Sequence, residues 1–159
     1  MVVLPEPIMP SIRISRGTAT RYAAYAAPGG AGEPAAARVP EITHLPLPGP
    51  ASHLTPAALG PLAEAADGRR ALIVGPGLGR SDDTSANVRK LIVEAPLPMV
   101  IDGDGLFALG WSSEGASTLL RRRAVPTILT PHDGEYALLS GAQPGLDRIV
   151  AARRLAADC

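Results

Sequence analysis

Three short apolar runs constrain this chain more than any other feature: Ala71-Leu72-Ile73-Val74, Met99-Val100-Ile101 and Thr127-Ile128-Leu129. Each is too short for a helix, is rich in β-branched or aliphatic residues, and stops at glycine, aspartate or Thr-Pro. A helix-forming stretch follows each one. After the first, Ser81 or Asp82 caps a helix that places Val88, Leu91 and Ile92 on one side. Leu106 to Leu109 is helical after the second, and Gly134 to Ser140 after the third, with Gly141 as its stop. Strand and helix alternating three times is the pattern of right-handed crossovers in a parallel sheet, so the fold class is α/β, with strands buried on both faces.

The flanks are less regular. Eleven of the seventeen prolines lie in residues 1–70, and Ala23 to Ala37 carries neither period, which predicts a loop-like, poorly structured segment over residues 1–35. From residue 36 onward a single domain is expected. Glu41 to Leu45 reads as a strand, and Thr55-Pro56 as the start of a helix through Ala66, closed by Gly68. Leu146 to Cys159 reads as an amphipathic helix using Ile149 and Val150.

Fifteen basic residues balance fifteen acidic ones, which gives no long-range field for nucleic acid or an anionic membrane. The one basic cluster, Arg121-Arg122-Arg123, follows Leu119-Leu120 as a solvated helix end does. No apolar run is long enough to span a bilayer, so no membrane partner is expected. The single cysteine, Cys159, cannot form an internal disulfide, which fits a reducing, cytoplasmic setting.

Ligands of open parallel sheets bind beyond the carboxyl ends of the strands, and three chemically loaded loops fall there. Gly75-Pro76-Gly77-Leu78-Gly79 lets the backbone approach a ligand closely, but it is neither a Walker A loop nor a dinucleotide fingerprint. Asp102-Gly103-Asp104-Gly105 offers two carboxylates for a metal or for ligand hydroxyls, or else a turn in which Asp104 caps the next helix. Thr130-Pro131-His132-Asp133-Gly134-Glu135 combines an imidazole, two carboxylates and a helix start. His132 there can donate to a phosphate or amide, or Asp133 can simply cap the helix.

Taken in order, Ala-Leu-Ile-Val-Gly-Pro-Gly-Leu-Gly at 71–79, Met-Val-Ile-Asp-Gly-Asp-Gly-Leu at 99–106 and Ile-Leu-Thr-Pro-His-Asp-Gly-Glu at 128–135 resemble the ADP-dependent NAD(P)H-hydrate dehydratase family. The resemblance implies a ribokinase-like three-layer α/β/α sandwich with a mainly parallel sheet, of which residues 36–159 would form a partial, truncated domain. It also implies the reaction: ADP, or ATP, is consumed to dehydrate (S)-NADHX or (S)-NADPHX, restoring NAD(P)H by phosphorylation of the ring hydroxyl and elimination, with Mg2+ beside the phosphates. By the same resemblance, Gly77, His132 and Asp102 touch the hydrated dinucleotide, and Glu135 lies near metal and phosphate. Self-association into a homo-oligomer is a further implication. Asp133 stands where the family more often has proline, and Gly103 where it has alanine. The Gly-Thr-Gly-Asp loop that supplies the family's hydroxyl-activating aspartate does not occur in this sequence. That leaves the catalytic residue unknown, and the alternatives are a ribokinase-like small-molecule kinase or a noncatalytic nucleotide-binding fragment.

Overall fold

The computed structural model of the protein describes residues 23–28, 42–49 and 53–159. Two strands, β1 (Ala23–Pro28) and β2 (Ile42–Leu47), pair in parallel with Tyr25 opposite His44. A short 3-10 turn, Pro56–Ala58, leads into helix α1 (Leu59–Ala66). Then β3 (Leu72–Val74), α2 (Asp82–Glu94), β4 (Met99–Ile101), α3 (Asp104–Gly110), α4 (Ala116–Leu120), β5 (Thr127–Leu129), α5 (Asp133–Ser140) and α6 (Arg148–Asp158) follow. The strands β3, β4 and β5 form a parallel sheet in that order, with Val74, Ile101 and Leu129 in register. The chain is therefore α/β with a parallel sheet and crossover helices, consistent with a ribokinase-like fold.

One face of the three-stranded sheet carries the core. Met99, Ile101 and Val74 are buried there with Val88 and Ile92 of α2, Leu106 and Leu109 of α3 and Leu119 of α4. Helix α2 begins where the sequence places it, because Ser81 accepts the Thr84 N–H at 3.2 Å and so satisfies one of the orphan donors of the first turn. Thr84 and Asn87, buried on the same helix, bind the backbone of Leu54 and tie the approach to α1 onto it. Helices α3 and α5 meet at Gly110, where a Cβ would lie 2.5 Å from Leu138 Cγ.

Four expectations are corrected. The stretch Ala23–Pro28 is a strand, not a loop: alanine is a poor strand former on its own, and the pairing with β2 supplies what local preference lacks. The remainder of residues 1–35 lies outside the described residues. Strand β3 is not buried on both faces; Ile73, which shares a face with Val100 and Ile128, is 76% exposed. Helix α6 buries Ala151 and Leu155 against Tyr136, Leu129 and Leu139, leaving Ile149 and Val150 in solvent. Arg123 is not a solvated helix end. Its guanidinium donates to the carbonyls of Leu97 (2.8 Å), Ala95 (3.3 Å) and Ile92, and to Thr127 Oγ1 (2.7 Å), joining the end of α2 to β5. Among the described residues, no helix is long and apolar enough to cross a membrane.

Candidate functional site

Because β3, β4 and β5 are adjacent and parallel, the three loaded loops emerge side by side at one edge of the sheet. The first is a glycine arch. Gly75, Gly77 and Gly79 all have positive φ (135°, 75° and 86°), backbone that side-chain-bearing residues rarely adopt. At Gly75 a Cβ would lie 1.7 Å from the carbonyl oxygen of Asp102, so this glycine is required by contact with the second loop. At Gly77 nothing lies within 4 Å of the same construction, and the crown of the arch faces open space. A ligand can therefore meet the Gly77 backbone directly.

The second loop is packed against the first. Asp102 N–H donates to Val74 O (3.0 Å), Gly105 N–H to Asp102 O (3.0 Å), and a Cβ on Gly105 would lie 2.9 Å from Val74 O. Gly103 turns the chain at φ 50° and is itself the N-cap of α3, with no side-chain cap. The expected capping role of Asp104 is thus not observed. Its carboxylate reaches across instead, accepting the Gly79 N–H at 2.9 Å and Arg80 Nε at 2.7 Å. The two acids differ in availability: Asp104 is held by the protein, while Asp102 is half-buried at the strand end and its carboxylate takes no hydrogen bond among the described residues.

The third loop is anchored where Thr130 donates to Ile101 O through both its N–H (3.2 Å) and its hydroxyl (3.3 Å). Beyond it, His132 rather than Asp133 caps α5. Its Nδ1 accepts the N–H groups of Gly134 (3.0 Å) and Glu135 (3.3 Å), and Glu135 Oε2 accepts the His132 N–H in return (3.0 Å). With Nδ1 an acceptor, the neutral ring carries its proton on Nε2. That atom stands 3.4 Å from Glu135 Oε1, and the imidazole side chain is 73% exposed. The cap therefore fixes the tautomer and leaves Nε2 beside the Glu135 carboxylate on an otherwise exposed ring. Asp133 does not cap; it forms a two-pronged pair with Arg148, at 2.6 and 2.7 Å.

Glu135 is buried and faces its own helix start. Among the described residues no three acidic, histidine or cysteine side chains gather as a metal site. One carboxylate that already accepts a backbone N–H does not fit a magnesium site by itself. Two concavities extend away from the loop tips. A groove along the open sheet face reaches only the third loop, through Thr130, Pro131 and Asp133. An apolar cleft of about 410 Å³ between α1 and the end of α2 sits by Leu72 and Leu97, at the opposite end of the strands. The loop tips bring exposed polar side chains and open backbone together. Arg80 and Arg148, which pair with Asp104 and Asp133, are not singled out by any sequence motif; their part appears only from the contacts.

The family model described as NAD(P)H-hydrate dehydratase matches residues 25–159. Among similar proteins is a bifunctional NAD(P)H-hydrate repair enzyme Nnr from Salinibacter ruber, 45% identical over 118 residues, which are 72% of this chain and 21% of that protein. The enzyme of the same description from Mycobacterium tuberculosis is 42% identical over 102 residues, 64% of this chain and 19% of its own length. That from Pyrobaculum aerophilum is 37% identical over 125 residues, 77% of this chain and 23% of its own. The chain thus spans about a fifth of the length of these curated relatives. A match across the strands, the three loops and the helices between them places the chain in the NAD(P)H-hydrate dehydratase family.

Proposed function

We propose that this chain serves the ADP-dependent dehydration of (S)-NAD(P)H hydrate to NAD(P)H by holding the hydrated dinucleotide on its three-loop edge. One observation carries the reading: an open glycine backbone at Gly77, the half-buried Asp102 carboxylate and the exposed His132 imidazole all lie at the same ends of three adjacent strands. Gly77 permits the close approach of a flat, polar ligand. Asp102 accepts from hydroxyls of the ligand, and His132 donates to a phosphate or amide oxygen. Glu135 orients that imidazole through the reciprocal cap.

In the reaction, a phosphoryl group passes from ADP or ATP to the ring hydroxyl, and the ester then leaves as inorganic phosphate, carrying the ring oxygen, as the adjacent ring carbon loses a proton; positioning and charge neutralisation therefore matter more than covalent help from the protein. The protein's share seen here is orientation of the ring hydroxyl and of the dinucleotide phosphates. Mg2+ would be held chiefly by the phosphates of ADP or ATP. The aspartate that the family uses to activate the hydroxyl is absent from this sequence, and turnover by these residues alone is not part of the proposal. A cytoplasmic location and self-association remain part of the same reading.

Calorimetric titration with (S)-NADHX, NADH and a small alcohol of the kind ribokinase-like kinases phosphorylate tests it. The hydrate should bind roughly tenfold or more tightly than NADH, because a site built for a hydroxyl is left unpaired by a ligand that lacks it. Preference for the alcohol would favour the kinase reading, and equal affinity for the hydrate and NADH would favour a noncatalytic nucleotide-binding fragment.

A further inference from the structure

The glycine arch is held at both feet and free at its crown. Its first foot is pinned by the packing of Gly75 and Gly105 against the Val74 and Asp102 carbonyls. Its second foot hangs on Asp104, whose Oδ2 accepts the Gly79 N–H at 2.9 Å and whose Oδ1 accepts Arg80 Nε at 2.7 Å. Asp104 has only 16% of its side chain exposed, whereas Arg80 has 57%. The ion pair alone is therefore weak, and the charge-assisted bond to the Gly79 backbone is the stronger half. The Arg80 guanidinium also lies 4.9 Å from the Phe107 ring centroid, and Phe107 stacks on Trp111 at 5.5 Å and 13°. The arch is thus fastened along the length of α3, the helix that the second loop starts.

We infer that Asp104 is a positioning residue: with Arg80 it locks the second foot of the arch to α3, so that the Gly77 crown and the Asp102 carboxylate are presented to a ligand as one rigid unit. The lock rests on the contacts alone; its value for binding rests on the function proposed above. A preset arch spares the ligand the cost of ordering it.

Amide hydrogen exchange and (S)-NADHX affinity, measured on wild type, Asp104→Ala and Asp104→Asn, test the inference. Asp104→Ala should speed exchange at Gly77 to Arg80 about fivefold or more, leave β4 and α2 unchanged, and weaken binding about tenfold. Asp104→Asn retains an acceptor for Gly79 and should restore most of both. Unchanged exchange in Asp104→Ala, or an equal rise throughout α2 and β4, would overturn the lock. If wild type does not bind (S)-NADHX, the proposed function fails while the exchange pattern still decides the lock.

Discussion

Gly75 and Gly77 sit two residues apart in the same loop, both at positive φ, yet the structure predicts very different penalties for adding one methyl group to each. At Gly77 an added Cβ meets nothing within 4 Å, and Gly77→Ala pays only for holding alanine at φ 75°, about 1–2 kcal/mol. At Gly75 the backbone lies at φ 135°, a region almost confined to glycine, which costs about 1–3 kcal/mol. The new carbon would also lie 1.7 Å from the Asp102 carbonyl oxygen and 2.8 Å from the Gly105 nitrogen, both backbone atoms that cannot rotate away. Parting the two loops adds about 1–3 kcal/mol more, as overpacking usually does. Gly75→Ala should therefore cost about 2–6 kcal/mol in total, against about 1–2 for Gly77→Ala, or roughly 10 °C of melting temperature against roughly 4 °C for a chain of this size. Urea unfolding followed by the fluorescence of Trp111, the single tryptophan, reads both variants. Equal destabilisation by the two substitutions would refute the close apposition of the first and second loops.

Three further outcomes follow from particular contacts. Arg123→Ala leaves the carbonyls of Leu97, Ala95 and Ile92 without their donor and should cost about 2–3 kcal/mol in urea unfolding, with Arg123→Lys recovering only part because an ammonium cannot fork between α2 and β5. His132→Asn should preserve stability, since asparagine also caps helices well, but lose affinity for (S)-NADHX; His132→Ala should lose the affinity and about 1 kcal/mol besides. Burial first, and Asp158 second, raise the Cys159 thiol above its ordinary range, with Arg121 opposing. Its neutral form is therefore favoured by folding: the contribution to stability is full at pH below the usual thiol value of about 8.5 and is lost as pH rises through the folded value. Alkylation by iodoacetamide at mildly alkaline pH should be slower than that of free cysteine, and an equal rate would contradict the burial.

The strands and helices from residue 71 onward were legible because each apolar run is short, ends in turn residues and precedes a helical period. Their topology in turn puts three loops at one edge without any knowledge of contacts. What the sequence could not show depends on partners distant in the chain. Strand β1 is made of residues that do not favour a strand and exists by pairing with residues 42–47. Arg121, Arg122 and Arg123 are the same residue type in a row, and only the arrival of the α2 end and β5 separates the third from the exposed first two. Asp102 and Asp104 look equivalent in the loop sequence, but Gly79 and Arg80 lie over one of them alone. His132 caps its helix where the neighbouring aspartate is the more usual choice, while Asp133, the first helical residue, pairs with Arg148 fifteen residues on. The apolar triplet Leu72-Ile73-Val74 gives no sign that one face of its strand stays uncovered at Ile73.

Whether the dinucleotide lies across the three loops is tested most directly by backbone amide shifts of the labelled chain during titration with (S)-NADHX. Saturable shifts concentrated at Gly77, Asp102, Gly103 and Gly134 are predicted. Shifts confined to the apolar cleft at α1 and the end of α2, or no saturable shifts at all, would contradict it.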